Sequence, residues 1–126
     1  MTKSINIEIW EREFSLNVEF DCYSDESVTQ NQIDAFERFC NNPKWIDKAK
    51  KNVESFCKKA VKNDDQNQKK DNIFSYVKPV GIFVKRDSDK PRVAIMCKYK
   101  YDTEHGLAVV FDHNGNATVG LQDIIL

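Results

Sequence analysis

The chain has 126 residues and a net charge of −1 at pH 7, from 19 basic and 20 acidic residues. With 40% hydrophobic and 31% charged residues, its composition excludes a disordered chain, and the near-zero charge argues against a polyanion binder. A chain of this length is expected to form one domain, residues 1–126, that folds without a metal or a disulfide.

The first predicted elements are two strands. Apolar and polar residues alternate over residues 4–10, and the alternation resumes over residues 14–20 after a short polar break. A period of two places the apolar residues on one face of a half-buried strand. Two such segments with a short polar connection predict a β-hairpin.

Two amphipathic helices are predicted next. Ser27 and Gln30 have the spacing of a capping box, which predicts a helix that begins there. Asn42-Pro43 ends that helix and starts a second one, which continues with apolar spacings of three and four to Ala60. The fully polar segment 63–72 is predicted to be a solvated loop.

Four further strands are predicted after the loop, over residues 80–84, 93–101, 107–111 and 117–121. Pro79 predicts the start of a strand or an edge position, and Asn114-Gly115 predicts a tight hairpin, because both residues tolerate positive φ. The order ββααββββ predicts an α+β fold. We expect a mainly antiparallel sheet of about six strands with two helices packed on one face.

The four cysteines, Cys22, Cys40, Cys57 and Cys97, form no C-x-x-C pair, and each lies in or beside an apolar pattern. We predict that all four are buried thiols. The chain begins with no signal-peptide pattern, and no apolar run reaches the roughly 18 residues that a membrane helix needs. We therefore expect a cytoplasmic protein with reduced thiols and no membrane partner.

Two carboxylates and an imidazole are concentrated in Asp102, Glu104 and His105, and Asp123 in the tail is a further candidate ligand. These residues are typical metal ligands, but successive strand residues point to opposite faces. The other interpretation is structural: Asp102 accepts hydrogen bonds from nearby amides, and Gly106 adopts a conformation that favours glycine. We predict a structural turn with no metal or cofactor, and keep a metal or ligand site as the alternative.

Motifs of nucleophilic catalysis and phosphate binding are missing from the sequence: it contains no G-x-S-x-G and no P-loop. Cys97 and His105 are a candidate pair in which the histidine would act as the base that activates the thiol. However, Cys97 shares a strand face with Val93 and Ile95, which favours a core position over an activated thiol. We predict that the protein is not an enzyme.

Charge is unevenly distributed along the chain. Residues 1–42 hold nine acids and three bases, a net of −6, whereas residues 44–71 hold nine lysines and five acids, a net of +4. The lysine-rich helix has no stacking aromatics or groove-reading pattern beside it, so we expect no nucleic-acid partner. The acidic segment is the better binding candidate, because such a surface steers basic partners.

The predicted partner-binding surface lies on the exposed sides of the first strands and on the loop after them. Its residues are Glu8, Trp10, Glu11, Glu13, Asp25 and Glu26. Trp10 breaks the apolar alternation and falls on the polar side of the first strand. It is either an aromatic anchor among acids or a residue that packs on an adjoining element.

The last third of the chain resembles a family of small bacterial proteins of unknown function. The shared pattern is Asp102-Thr103-Glu104-His105-Gly106, the apolar strand after it, Asn114-Gly115, and the tail Gln122-Asp123-Ile124, within residues 76–126. This resemblance implies no catalytic role for any of these residues. Proteins of this type are similar to immunity proteins that accompany secreted bacterial toxins, which is an argument by analogy.

These observations together predict a non-enzymatic protein-binding module, an immunity protein that neutralises a bacterial toxin by covering a basic site with its acidic surface. The alternative is a small metal- or ligand-binding protein centred on the turn from Asp102 to His105. A third hypothesis is an oligomerisation module with no ligand.

Overall fold

Six strands form one sheet in a computed structural model that describes residues 2–22, 27–60, 73–86 and 90–126. The strands lie in the sheet in chain order. Their bounds are Thr2–Ile9 (β1), Arg12–Phe20 (β2), Val77–Val84 (β3), Val93–Tyr99 (β4), Leu107–Phe111 (β5) and Ala117–Leu121 (β6). Two helices, Gln30–Cys40 (α1) and Pro43–Ala60 (α2), separate β2 from β3. The predicted α+β fold and the order ββααββββ are confirmed.

Neighbouring strands are antiparallel except for β2 and β3, which pair in parallel from Asn17↔Gly81 to Phe20↔Val84. The parallel pair follows from the connection: α1 and α2 carry the chain back across the sheet before β3 begins. The predicted loop 63–72 and the acids Asp25 and Glu26 lie outside the described residues.

The sheet has two different faces. The face towards the helices holds the main core, in which Ile9, Leu16, Val18 and Phe39 are at most 3% exposed. The opposite side, called the outer face below, carries a smaller cluster of Phe83, Ala94, Ala108, Val110 and Ile125. Ile125 follows a 3₁₀ turn, Gln122–Ile124, so the chain after β6 covers part of the outer face.

Helix α1 begins two residues later than predicted. The capping box is formed by Thr29 and Gln32, not by Ser27 and Gln30: Thr29 Oγ1 accepts from the Gln32 amide at 3.1 Å, and Gln32 Oε1 accepts from the Thr29 amide at 3.0 Å. Gln32 is completely buried and its Nε2 also donates to the Asp21 and Val84 carbonyls, at 3.0 and 3.2 Å. These bonds join the ends of β2 and β3 to the start of α1, which explains the shift.

Strand β3 begins before Pro79, so this residue does not start the strand. The pairing with β4 shifts between Pro79 and Gly81, which makes Val80 the extra residue of a β-bulge. Pairing with β2 begins only at Gly81, so β3 has one neighbour at the level of Pro79. Pro79 therefore lies at a local edge of the sheet, as one of the two predictions had it. Proline is tolerated there because no strand on that side needs its missing amide hydrogen.

The β5–β6 hairpin turns in the region that Asn114-Gly115 predicted, but the loop is longer than two residues: strand pairing ends at Phe111↔Ala117, and the Gly115 amide donates to the Asp112 carbonyl at 3.0 Å. Gly115, but not Asn114, has the expected positive φ. Gly115 has a φ of +87°, and a Cβ on it would overlap the Trp45 ring. Asp112 closes the turn, because its Oδ1 accepts from the Asn114 and Asn116 amides, each at 2.9 Å. Although partial burial raises the pKa of Asp112, these hydrogen bonds outweigh it and hold the pKa below its usual range.

The thiols are not all buried. Cys57 and Cys97 lie in the core, as predicted, whereas Cys22 is half-buried and Cys40 is exposed at the last residue of α1. The prediction was wrong for Cys40, because the buried stripe of α1 consists of Gln32, Ala35, Phe36 and Phe39 and ends one residue before it.

Candidate functional site: the acidic hairpin and the Asp102 turn

The turn of the β1–β2 hairpin is made by two residues without glycine. Trp10 and Glu11 have φ angles of +51° and +73°, in the left-handed region that other residues rarely adopt. Consecutive left-handed residues are what a two-residue hairpin turn requires, since its twist then matches that of the strands. The backbone is therefore strained at the tip of this hairpin.

Trp10 lies in the core rather than on the acidic surface. Its side chain is 5% exposed, and its Nε1 donates to the Ile46 carbonyl of α2 at 2.9 Å. Its ring also contacts Phe74, with centroids 5.9 Å apart. This geometry supports the second interpretation, in which Trp10 packs on an adjoining element. Trp10 is therefore not part of the partner-binding surface. The left-handed turn swings the indole from the polar side of β1 towards the helices.

The acids of the hairpin are exposed and close together. Glu8 and Glu13 face each other directly across β1 and β2, and Glu11 lies at the turn between them. None of the three has an ion-pair partner in the part of the chain that the structure describes. Like charges directly opposite each other destabilise a strand pair. The hairpin thus presents a compact negative surface, defined here as Glu8, Glu11 and Glu13.

The Asp102 turn is internally satisfied. Asp102 Oδ1 accepts from the His105 amide at 3.1 Å, and its two carboxylate oxygens lie 3.0 and 3.1 Å from His105 Nδ1. The His105 amide, and then the His105 ring, lower the pKa of Asp102. The carboxylate thus contacts both the backbone and the ring of His105, and its bond to a nearby amide is the one that the structural interpretation expected.

Gly106 completes this turn in a way that ties it to the tail. It has a φ of +67°, and its amide donates to the Asp102 carbonyl at 2.9 Å. A Cβ at this position would lie 2.6 Å from Gln122 Nε2 and 2.9 Å from the Cys97 carbonyl oxygen. Gln122 Nε2 donates to that same oxygen at 3.2 Å. Gly106 therefore makes room for the side chain that joins the tail to β4.

The candidate metal ligands do not converge. Glu104, His105 and Asp123 are all exposed, and no group of three or more His, Cys, Asp or Glu side chains that could hold a metal ion occurs among the described residues. The metal- or ligand-binding alternative therefore has no assembled ligand set in the described ranges.

Cys97 and His105 have opposite surroundings. Cys97 is fully buried in the main core, and burial raises the pKa of its thiol. The His105 side chain is 56% exposed. A buried thiol with a raised pKa forms little thiolate, which is the reactive form. The core position predicted for Cys97 is the one observed.

Three charged residues that were not among the predicted site residues share one face of the sheet. Glu19 lies on the outer face of β2, and Lys78 and Lys98 lie directly opposite each other on β3 and β4. Alternation placed Glu19 on the polar side of its strand, but nothing in the sequence places it on the same face as the two lysines. That arrangement depends on the pairing of β2 with β3, which joins residues 64 positions apart, such as Asn17 and Gly81.

One family model matches the chain over residues 1–126, with the description "domain of unknown function (DUF6985)". The chain belongs to this family. The match extends over the N-terminal half as well, whereas the resemblance within residues 76–126 covered only the last part of the chain. No curated protein and no solved structure matches the chain. Within the described residues, neither helix is long and apolar enough to cross a membrane.

Proposed function

We propose that this protein of the DUF6985 family is a non-enzymatic protein-binding module whose negative hairpin surface contacts a basic site on another protein. The observation that carries the proposal is the direct pairing of Glu8 with Glu13. Like charges in that position cost a few tenths of a kcal/mol to about 1 kcal/mol, and no described cation offsets this cost. A basic partner that neutralises both carboxylates removes that repulsion on binding.

The anchoring of the hairpin supports the same proposal. Trp10 is held by its hydrogen bond to Ile46 and by its contact with Phe74, so the acids on either side project from a fixed turn. A surface whose backbone is already ordered loses less conformational entropy when it binds. The negative hairpin surface is therefore preorganised, unlike acids on a loose tail.

The more specific form of the proposal is that the partner is a secreted bacterial toxin and that this protein is its immunity protein. Its support is the resemblance of residues 76–126 to small bacterial proteins that are similar to immunity proteins. A toxin that acts on an anionic substrate carries a basic active site, and an acidic surface is complementary to such a site.

Affinity capture with two charge-matched variants tests the proposal. Glu8→Lys/Glu13→Lys reverses two charges on the hairpin, and Glu37→Lys/Asp47→Lys makes the same change of net charge at exposed positions on the helices. We expect the helix variant, but not the hairpin variant, to retain a partner at low ionic strength. Raised salt should release that partner. Equal capture by both variants, or no partner at low salt, would contradict the proposal.

A stability measurement makes this test sharper. Glu13→Lys places a cation opposite Glu8, so we expect the free energy of unfolding to rise by about 0.5 kcal/mol. Urea denaturation measures this change. The proposal thus predicts a variant that folds better and binds worse, which a general loss of structure cannot produce.

A further inference from the structure

The outer face gathers the exposed large apolar side chains of the described residues. Val80, Ile124 and Leu126 are 39%, 39% and 69% exposed, and all three lie on this side of the sheet. Val80 is there because the bulge in β3 adds one residue to the strand. Exposed apolar side chains scattered singly need no explanation, but a cluster on one face is typical of an interaction surface.

A groove of about 330 Å³ is lined by two of these residues, Val80 and Leu126. Val80, Phe83, Met96 and Leu126 form its apolar lining, and Gly81 contributes bare backbone. The rim on the β2 side is polar and includes Glu19. The groove is thus apolar in the middle and acidic along one side.

Basic residues lie on the other side. Lys98 follows Met96 by two residues on β4 and therefore points to the same face, and Lys78 is directly opposite it on β3. Glu19, by contrast, is in register with Phe83 across β2 and β3. Within the described ranges, none of these three charges has an ion-pair partner, so the two facing lysines repel each other without compensation.

We propose that the outer face binds the outer face of a second copy of this chain, forming a symmetric dimer. The two-fold axis of this dimer lies in the plane of contact and crosses the groove. It brings Glu19 of one copy to Lys78 and Lys98 of the other, and symmetry generates the same contact in reverse. Val80 and Leu126 of the two copies then meet in the centre. A face with acid on one side, base on the other and apolar residues between them is complementary to itself.

The dimer contact uses neither Glu8, Glu11 nor Glu13, although Glu13 and Glu19 are six residues apart on β2 and therefore share the outer face. The variants at Glu19, Lys78 and Lys98 test the dimer, whereas Glu8→Lys/Glu13→Lys tests the proposed function. Its first test is the mass of the purified full chain, measured by sedimentation velocity over a range of concentrations. We expect a species of twice the 14.7 kDa chain mass that dissociates on dilution. We expect Val80→Asp, which places a charge in the apolar centre, to be monomeric. A monomeric wild-type chain at every concentration would overturn the proposal.

Charge reversal provides the decisive test. Glu19→Lys reverses the acid beside the groove, and Lys78→Glu/Lys98→Glu reverses the two bases on its other side. We expect each variant alone to dimerise more than about tenfold more weakly than wild type, because like charges meet across the interface. An equal mixture of the two variants should associate again. If the mixture stays monomeric, or if each variant alone dimerises as wild type does, the proposed contact is wrong.

The off-face variant Glu37→Lys has the same charge change as Glu19→Lys and controls for net charge. It should dimerise like wild type, since Glu37 lies on α1 on the other side of the sheet. Dimerisation that weakens equally in both variants would contradict the proposal. All of these substitutions are at exposed positions, and circular dichroism of each variant checks that the fold is retained.

Discussion

Two short turns of this protein carry carboxylates in opposite surroundings: the turn at Trp10 and Glu11, and the turn from Asp102 to Gly106. Asp102 accepts hydrogen bonds from the amide and the ring of the residue three positions later, so its charge is compensated within the turn. The hairpin acids have no ion-pair partner among the described residues, and their neighbour Arg12 stacks on Phe74 instead. A carboxylate that shapes the backbone is satisfied when the chain folds, whereas one without a partner remains available for binding.

The two turns also differ in how they accommodate a positive φ. The Asp102 turn uses glycine where φ is positive, so its conformation costs little. The hairpin uses Trp10 and Glu11, and the strain is sustained by burial of the indole and by its bond to Ile46. The Asp102 turn is stabilised by contacts between residues that are close in sequence, whereas the hairpin turn is stabilised by a contact with α2.

The largest effect is expected from removing that contact. Trp10→Ala deletes a buried aromatic side chain and its hydrogen bond, so we expect the free energy of unfolding to fall by about 3 to 5 kcal/mol. Trp10→Phe keeps most of the ring and loses only the N–H donor, with an expected loss of about 1 kcal/mol. Urea denaturation measures both. Equal losses in the two variants would show that ring packing does not hold the turn.

The glycine turn should be almost as sensitive. Gly106→Ala combines a left-handed residue with a Cβ that overlaps Gln122, so we expect a loss of about 3 kcal/mol in urea denaturation. Gly120→Ala is the matched control, because the nearest atoms to its Cβ, at 3.0 Å, belong to the flexible Ile124 side chain. A loss below about 1 kcal/mol for Gly106→Ala would mean that the turn tolerates a side chain.

Relieving the strain of the hairpin should have a smaller effect of the opposite sign. Glu11→Gly removes the left-handed penalty but adds entropy to the unfolded chain, so we expect a net gain of about 0.5 kcal/mol in the free energy of unfolding. Glu11→Gln removes the same charge and keeps the strain. Thermal unfolding of the two variants separates charge from conformation, and an equal gain in both would assign the effect to charge alone.

The smallest effect is a pH dependence at Asp102. The pKa of this carboxyl is lowered from 3.8 in the folded protein, so its stabilising contribution is present above 3.8 and is lost as the pH falls through the folded value. Asp102→Asn lacks this contribution. Melting temperatures of the two proteins should differ at neutral pH and converge below pH 3.8. A difference that persists in acid would indicate a change of packing instead.

Much of the fold was predictable because its signals are local. Alternation identified the hairpin and the C-terminal strands, and the dipeptides Asn42-Pro43 and Asn114-Gly115 marked a helix boundary and a turn. The hydrogen bonds of Asp102 within its turn were predictable for the same reason, since their partners lie within three or four residues.

The errors arose where a distant partner decided between two local options. Ser27 and Thr29 both begin a capping-box pattern, and Gln32 selected Thr29 because its amide also binds the ends of β2 and β3. Trp10 had a polar and an apolar option, and the Ile46 carbonyl provided the partner that makes burial of its N–H favourable.

The sequence by itself determined the order of elements and most of the alternation along the strands, because side-chain period and turn chemistry act over a few residues. Only the tertiary structure decided that β2 pairs in parallel with β3 and that Val80 bulges from the sheet. It also placed Glu19 on the same face of the sheet as Lys78 and Lys98. These features depend on contacts between segments far apart in the chain, whose geometry is set by the packing of the whole sheet against its helices.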